Sequence, residues 1–157
     1  QYAAESCKSN HEVVLTAVQQ SKRALQHAAA ETVLAVVKAH GRALQHAAEC
    51  CKSNPEIILA AVKSCGCALQ YAAENCKSDP EVVLAAVKSD AKALQYAAPA
   101  ICQGDKEIVL TAVQSNGGAL QWAPEQCSSD CEIVLAAVQK QWKVLKLAAA
   151  SCKSDPE

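Results

Sequence analysis

Methionine and phenylalanine are absent from this chain of 157 residues, and aromatic side chains make up only 3% of it. Because 51% of the residues are nonetheless hydrophobic, the interior has to be assembled from Ala, Val, Leu, Ile and Cys. Side chains this small let helices approach toward the short end of the roughly 8–10 Å interaxial range. Charge of one sign is also missing: 15 basic residues stand against 16 acidic ones, a net charge of −1. That mixture leaves no basic stripe of the kind that grips nucleic acid. No apolar run approaches the roughly 18–20 residues that a bilayer-spanning helix needs. There is no Cys-x-x-Cys pair, no phosphate loop, and no cluster of acid, base and nucleophile.

What is present is repetition. Ala-Leu-Gln begins at Ala24, Ala43, Ala68, Ala93 and Ala119, and a degenerate Val144-Leu145-Lys146 follows. The spacings are 19, 25, 25, 26 and 25 residues. A second block, Glu56-Ile57-Ile58-Leu59-Ala60-Ala61-Val62, returns at Glu81 and Glu132. A fixed period in the range of about 20–50 residues marks a repeat array, each unit burying its apolar surface only against its neighbours.

In the unit from Gly66 to Ser89, Leu69, Ala72, Ala73 and Cys76 fall at i, i+3, i+4, i+7, with Gln70, Glu74 and Lys77 opposite. This spacing predicts an amphipathic helix of about three turns over 67–77. Asp79-Pro80-Glu81 then starts a second helix, with Asp79 as N-cap and Pro80 at the first helical position. The same start recurs at Asn54 and Asp155, and without proline at Asn10, Asp105 and Asp130. That second helix is apolar nearly all round, so it is expected to be buried, with Glu81, Ala85 and Lys88 as a narrow wet stripe. Gly41, Gly66 and Gly117 follow such helices and suggest left-handed C-terminal residues. The unit 19 residues long lacks the loop, which predicts a fused helix or an abrupt turn near Ala30. Pro99 and Pro124 should stop or kink the first helix of their units.

The expected fold is therefore all-α: an α-solenoid of tandem helical hairpins, about 25 residues each and about six layers deep. Residues 1–157 read as one array, with units starting near 22, 41, 66, 91, 117 and 142, cut from a longer chain. Leu-Gln-Tyr-Ala-Ala-Glu followed by Asp-Pro-Glu-Val-Val-Leu-Ala-Ala-Val-Lys resembles the repeat family catalogued as domain of unknown function 4116. That family forms long arrays in unicellular algae and other protists. The resemblance implies helical repeats and carries no catalytic residue with it.

Ten cysteines invite a disulfide or metal reading. Six of them, Cys7, Cys51, Cys76, Cys102, Cys127 and Cys152, share nearly one repeat position, aligned with Leu69, and read as core thiols of a reducing compartment. Cys50, Cys65, Cys67 and Cys131 lie outside that column and are too dispersed to surround one zinc. Two further columns are candidates for binding. One is Gln: Gln26, Gln45, Gln70, Gln95 and Gln121, whose amides suit an extended peptide backbone, layer-to-layer bridging or water. The other is aromatic, with Tyr71, Tyr96 and Trp122 preceded by His27 and His46; such residues are enriched at protein interfaces but also pack between layers.

These readings lead to a non-enzymatic scaffold for protein–protein interaction, with no cofactor, no metal and no nucleic acid. The alternatives are a structural or linker subunit of a large assembly, for instance an organellar, photosynthetic-membrane one reached peripherally, and a thiol-based redox protein.

Overall fold

A computed structural model describes residues 29–147 and, ahead of them, Gln26. Expectations that fall on Asn10, His27, Asp155, Cys7 and Cys152 lie outside these residues. No strand occurs among the described residues, and helical segments follow one another throughout.

Among the described residues, five long α-helices of ten residues stack on one another: α1 (Ala30–Ala39), α3 (Pro55–Ser64), α5 (Pro80–Ser89), α7 (Lys106–Ser115) and α9 (Cys131–Lys140). Each is followed by a 3-10 helix: Gly41–His46, Gly66–Tyr71, Ala91–Tyr96, Gly117–Trp122 and Trp142–Leu147. A short α-helix then leads to the next layer: α2 (Glu49–Lys52), α4 (Glu74–Lys77), α6 (Pro99–Gly104) and α8 (Glu125–Ser128).

The solenoid is as expected, but its unit is not a two-helix hairpin. The segment read as one helix over 67–77 is broken in the middle. Ala72 and Ala73 are extended, with ψ of 151° and 159°. The break has a physical reason. Freed from the helix, the Ala73 N–H donates to the Lys52 carbonyl of the preceding layer at 2.9 Å, and Ala98 donates to Lys77 at 3.0 Å. An intrahelical bond is thereby exchanged for one between layers, so these two amides keep a partner. Pro99 and Pro124 do sit at this break, as helix position one of α6 and N-cap of α8. All described units break there, so the prolines mark a shared joint rather than two defects. Pro124, having no N–H, cannot make the layer-to-layer bond that Ala73 and Ala98 make.

The long helices begin as predicted. Asp79 accepts from the Glu81 amide at 2.9 Å, and Asn54, Asp105 and Asp130 accept from Glu56, Glu107 and Glu132, each at 3.0 Å. The short unit resolves as an abrupt turn: Ala29 is extended, with ψ of 149°, and α1 starts directly after it. Aligned with its neighbours, that unit lacks one short helix and its cap.

Two expectations need correcting. Among the described residues no glycine has positive φ, so Gly41, Gly66 and Gly117 are not left-handed caps. They are there because the next long helix ends against them. A Cβ on any of the three would collide with the backbone carbonyl of Ala61, Ala86 or Ala137 respectively. In two layers the close approach also lets the glycine amide reach a serine, Gly41 to Ser64 at 3.3 Å and Gly66 to Ser89 at 3.1 Å. Secondly, the long helices are not buried nearly all round. Val82, Val83, Ala86 and Val87 are inside, but Leu84 is only half-buried, as are Leu34, Leu59 and Leu110.

The core is the expected one of small side chains. Val33, Leu44, Ile58, Leu69, Val83 and Ile108 are fully enclosed. Truncating such a leucine to alanine costs about 2–5 kcal/mol.

Candidate functional site

Each long helix turns the same surface outward. On α5 the residues left at least partly exposed are Pro80, Glu81, Leu84, Ala85, Lys88 and Ser89. At 100° per residue, Glu81 and Lys88 lie on the outward meridian, with Leu84 and Ala85 on its two flanks. The pattern repeats as Glu31-Leu34-Ala35-Lys38 on α1 and Glu56-Leu59-Ala60-Lys63 on α3. On α7 and α9 it becomes Glu107-Leu110-Thr111-Gln114 and Glu132-Leu135-Ala136-Gln139. Leu135 is 59% exposed, and among the described residues no long helix follows to cover its side. Shallow grooves run along this surface. One, of about 420 Å³, is lined by Lys63 of α3 and by Glu81, Leu84, Ala85 and Lys88 of α5. Another, of about 490 Å³, lies over Glu31, Leu34, Ala35 and Lys38. None of Glu31, Glu56, Glu81, Lys38, Lys63 and Lys88 forms an ion pair with another described residue.

Lys106 stands apart from this pattern. Its ammonium reaches from the start of α7 to Asp130 at 2.8 Å and Glu132 at 2.7 Å at the start of α9, tying two layers. The Lys106 hydrogen bond holds the Asp130 carboxyl below its ordinary value.

The predicted Gln column lies on the 3-10 helices. Gln26, Gln45, Gln95 and Gln121 are exposed, while Gln70 is half-buried. Gln70 does not bridge layers: its amide donates to the Cys67 carbonyl of its own 3-10 helix at 3.1 Å. Tyr71, Tyr96 and Trp122 are half-buried against the core, each with part of its ring toward solvent. The structure brings Gln95 and Trp122 together on one cleft of about 420 Å³, shared with Pro99, Gln103, Pro124 and Glu125. That cleft opens where Pro124 interrupts the backbone bonds between layers.

The cysteines divide as their column suggested. Cys51, Cys76, Cys102 and Cys127 are buried, and the Cys127 thiol donates to the Cys102 carbonyl at 3.8 Å. Burial pushes the Cys102 thiol up to about 11. Outside the column, the Cys67 thiol donates to the Asp90 carboxylate of the next layer at 3.0 Å. Burial, followed by this hydrogen bond, raises Cys67 to about 11 as well. No disulfide joins any of the eight described cysteines, and no group of His, Cys, Asp and Glu among the described residues could hold a metal ion.

The unit geometry and the sequence now agree with a defined family. Residues 30–75, 54–101 and 105–150 match the repeat described as Domain of unknown function (DUF4116). The chain belongs to that family. Each match spans about two units, so the DUF4116 module corresponds to a pair of neighbouring layers rather than to one. No curated protein and no solved structure matches the chain. No described helix is long and apolar enough to cross a membrane.

The row the sequence reading passed over is the leucine one. Position 34, 59, 84, 110 and 135 is Leu every time, but position 37, 62, 87, 113 and 138 is Val every time and mostly buried, so constancy alone does not distinguish the leucine row; its partial exposure in the structure does.

Proposed function

We propose that this DUF4116 array is a non-enzymatic scaffold that binds other proteins along the outward surface of its long helices. The observation that carries the reading is the recurrence of one surface, Glu, Leu, Ala or Thr, then Lys or Gln, in five consecutive described layers. Stacked repeats present such surfaces as extended platforms for partners too long for a single pocket. The burial that raises Cys51, Cys67, Cys76, Cys102 and Cys127 favours this over redox chemistry at those thiols, since a reactive cysteine needs a lowered pKa. The Gln and aromatic columns are the rival face.

Capture of partners by the tagged chain, with two sets of substitutions, tests the reading. Leu59→Ser, Leu84→Ser and Leu110→Ser together should abolish recovery of a partner while circular dichroism stays helical. Gln45→Ala, Gln70→Ala, Gln95→Ala and Gln121→Ala, with Tyr71→Ser, Tyr96→Ser and Trp122→Ser, should leave it intact. The opposite pattern would move the binding function to the 3-10 edge.

A further inference from the structure

The long-helix surface carries its charges in two separate rows. Glu31, Glu56 and Glu81 stand in the first turn of α1, α3 and α5, and Lys38, Lys63 and Lys88 in the last turn. Seven residues separate Glu from Lys on each helix, about 10 Å along the axis. Across the stack this makes an acidic row and a basic row running parallel, with the Leu and Ala positions between them. In α7 and α9 the acidic row continues through Glu107 and Glu132, the latter already paired with Lys106, while Gln114 and Gln139 stand where the lysines were and Lys140 closes α9. Lys38, Lys63 and Lys88, and Glu31, Glu56 and Glu81, have no ion-pair partner among the described residues.

A surface with one acidic and one basic edge is complementary to itself under one symmetry operation only. A two-fold axis running along the stack keeps the order of the layers and reverses the helix direction. Each acidic row then falls opposite the basic row of the other copy. An axis along the helices instead sets Glu against Glu and Lys against Lys, which like-charge repulsion opposes. The first arrangement is isologous and closes at two copies, as symmetric dimers do. Its size is adequate. Five layers at about 10 Å and helices about 15 Å long give roughly 750 Å² from each copy. The total of about 1,500 Å² falls within the standard range for a specific interface.

We infer that this surface pairs with a second copy of the same chain, through a two-fold axis parallel to the stack, layer against like layer. The pairing rests on the docking reading above and names its occupant. Lys63 of one copy then meets Glu56 of the other, Lys88 meets Glu81, and Lys38 meets Glu31, at the rims of a seam of leucine and alanine. Gln114 meets Glu107 as an uncharged donor, and Gln139 meets Glu132 beside the Lys106 that already pairs with it.

Light scattering on the full 157-residue chain during size exclusion tests this, at loadings of about 10 to 100 µM, where micromolar association becomes visible. The wild type should form a dimer that weakens as salt is raised. Lys38→Glu, Lys63→Glu and Lys88→Glu in one chain should weaken association at least tenfold, and so should Glu31→Lys, Glu56→Lys and Glu81→Lys in another. Mixed in equal amounts, the two variants should recover a one-to-one dimer. Reversing charges at helix ends opposes the helix dipole, so a milder set, Lys38→Gln, Lys63→Gln and Lys88→Gln, serves if the reversed chains lose helicity. It copies what α7 and α9 already carry and should still weaken the dimer. A wild type that stays monomeric, or a dimer indifferent to every one of these changes, overturns the inference. If the wild type is monomeric yet the leucine substitutions still abolish partner capture, the scaffold reading stands and only the second copy fails.

Discussion

Gly66→Ala should destabilise the array, although the backbone at that position is open to any residue. The methyl group would press into the Ala86 carbonyl and lie 2.8 Å from the Asp90 nitrogen and 2.9 Å from the Asp90 Cβ. Layers α5 and the preceding 3-10 helix must then separate. Overpacking of this kind costs about 1–3 kcal/mol. Separation also loosens the 3.1 Å bond from the Gly66 amide to the Ser89 hydroxyl, a net contribution of about 1 kcal/mol. Alanine restricts the unfolded chain and returns about 0.4–1 kcal/mol. The balance is a loss of about 2 kcal/mol, which in a chain of this size lowers Tm by about 4–8 °C. The protein carries its own control one layer on. Ala91 occupies the equivalent position, and there the bond from its amide to Ser115, the counterpart of Ser89, is not formed. Ala91→Gly should accordingly be close to neutral, and Gly66→Val should cost more than Gly66→Ala. Thermal unfolding followed by circular dichroism reads all three. A Gly66→Ala protein melting within about 1 °C of wild type would refute the close-approach argument, because overpacking and a lost bond cannot both be that small.

Asp79→Ala removes the acceptor for the Glu81 and Val82 amides; it should cost about 1 kcal/mol and about 2–4 °C in Tm, with Asp79→Asn largely retaining the stability. The Lys106 staple gives a pH signature: the hydrogen bond from Lys106 lowers the Asp130 carboxyl from its ordinary 3.8. A carboxylate depressed in the folded state contributes stability above its unfolded value, and that contribution is lost as pH falls through the folded value. The loss of Tm between about pH 5 and 3 should therefore be shallower in Lys106→Gln than in wild type, measured by calorimetry at low salt. Native labelling with iodoacetamide at about pH 8 should modify exposed Cys50 well before Cys51, Cys76, Cys102 and Cys127, with mass spectrometry identifying the sites. Rapid modification of Cys102 would contradict its burial and its upward shift to about 11.

Much of the fold could be read from the residues. Helix starts at Asn54, Asp79, Asp105 and Asp130 depend on a side chain two positions from the amide it accepts, which is local chemistry and visible in any sequence. The core identity of Cys51, Cys76, Cys102 and Cys127 followed from their register with Leu69. What stayed hidden was tertiary. Ala72-Ala73 carries no signal for an extended joint, because alanine favours helix; the bond from Ala73 to Lys52 decides the matter, and only the neighbouring layer supplies it. Pro99 and Pro124 were the audible version of that joint, in the two units where the sequence spells it out. Gly41, Gly66 and Gly117 were misread for the same reason, since a glycine kept for a neighbour's approach looks in sequence like a glycine kept for its own φ. On the candidate surface, Glu81, Ala85 and Lys88 were read correctly as outward-facing. Leu84 was assigned to the interior because hydrophobicity alone does not say which side of a helix faces the next layer and which faces solvent.

The architecture rests on the extended joint at Ala72 and Ala73, so backbone NMR of this segment is its most direct test. Cα chemical shifts should be helical over 66–71 and 74–77 and extended at Ala72 and Ala73. The Ala73 amide should exchange slowly with solvent because Lys52 accepts its proton. Unbroken helical shifts from Gly66 to Lys77, with a fast-exchanging Ala73 amide, would contradict the layered account.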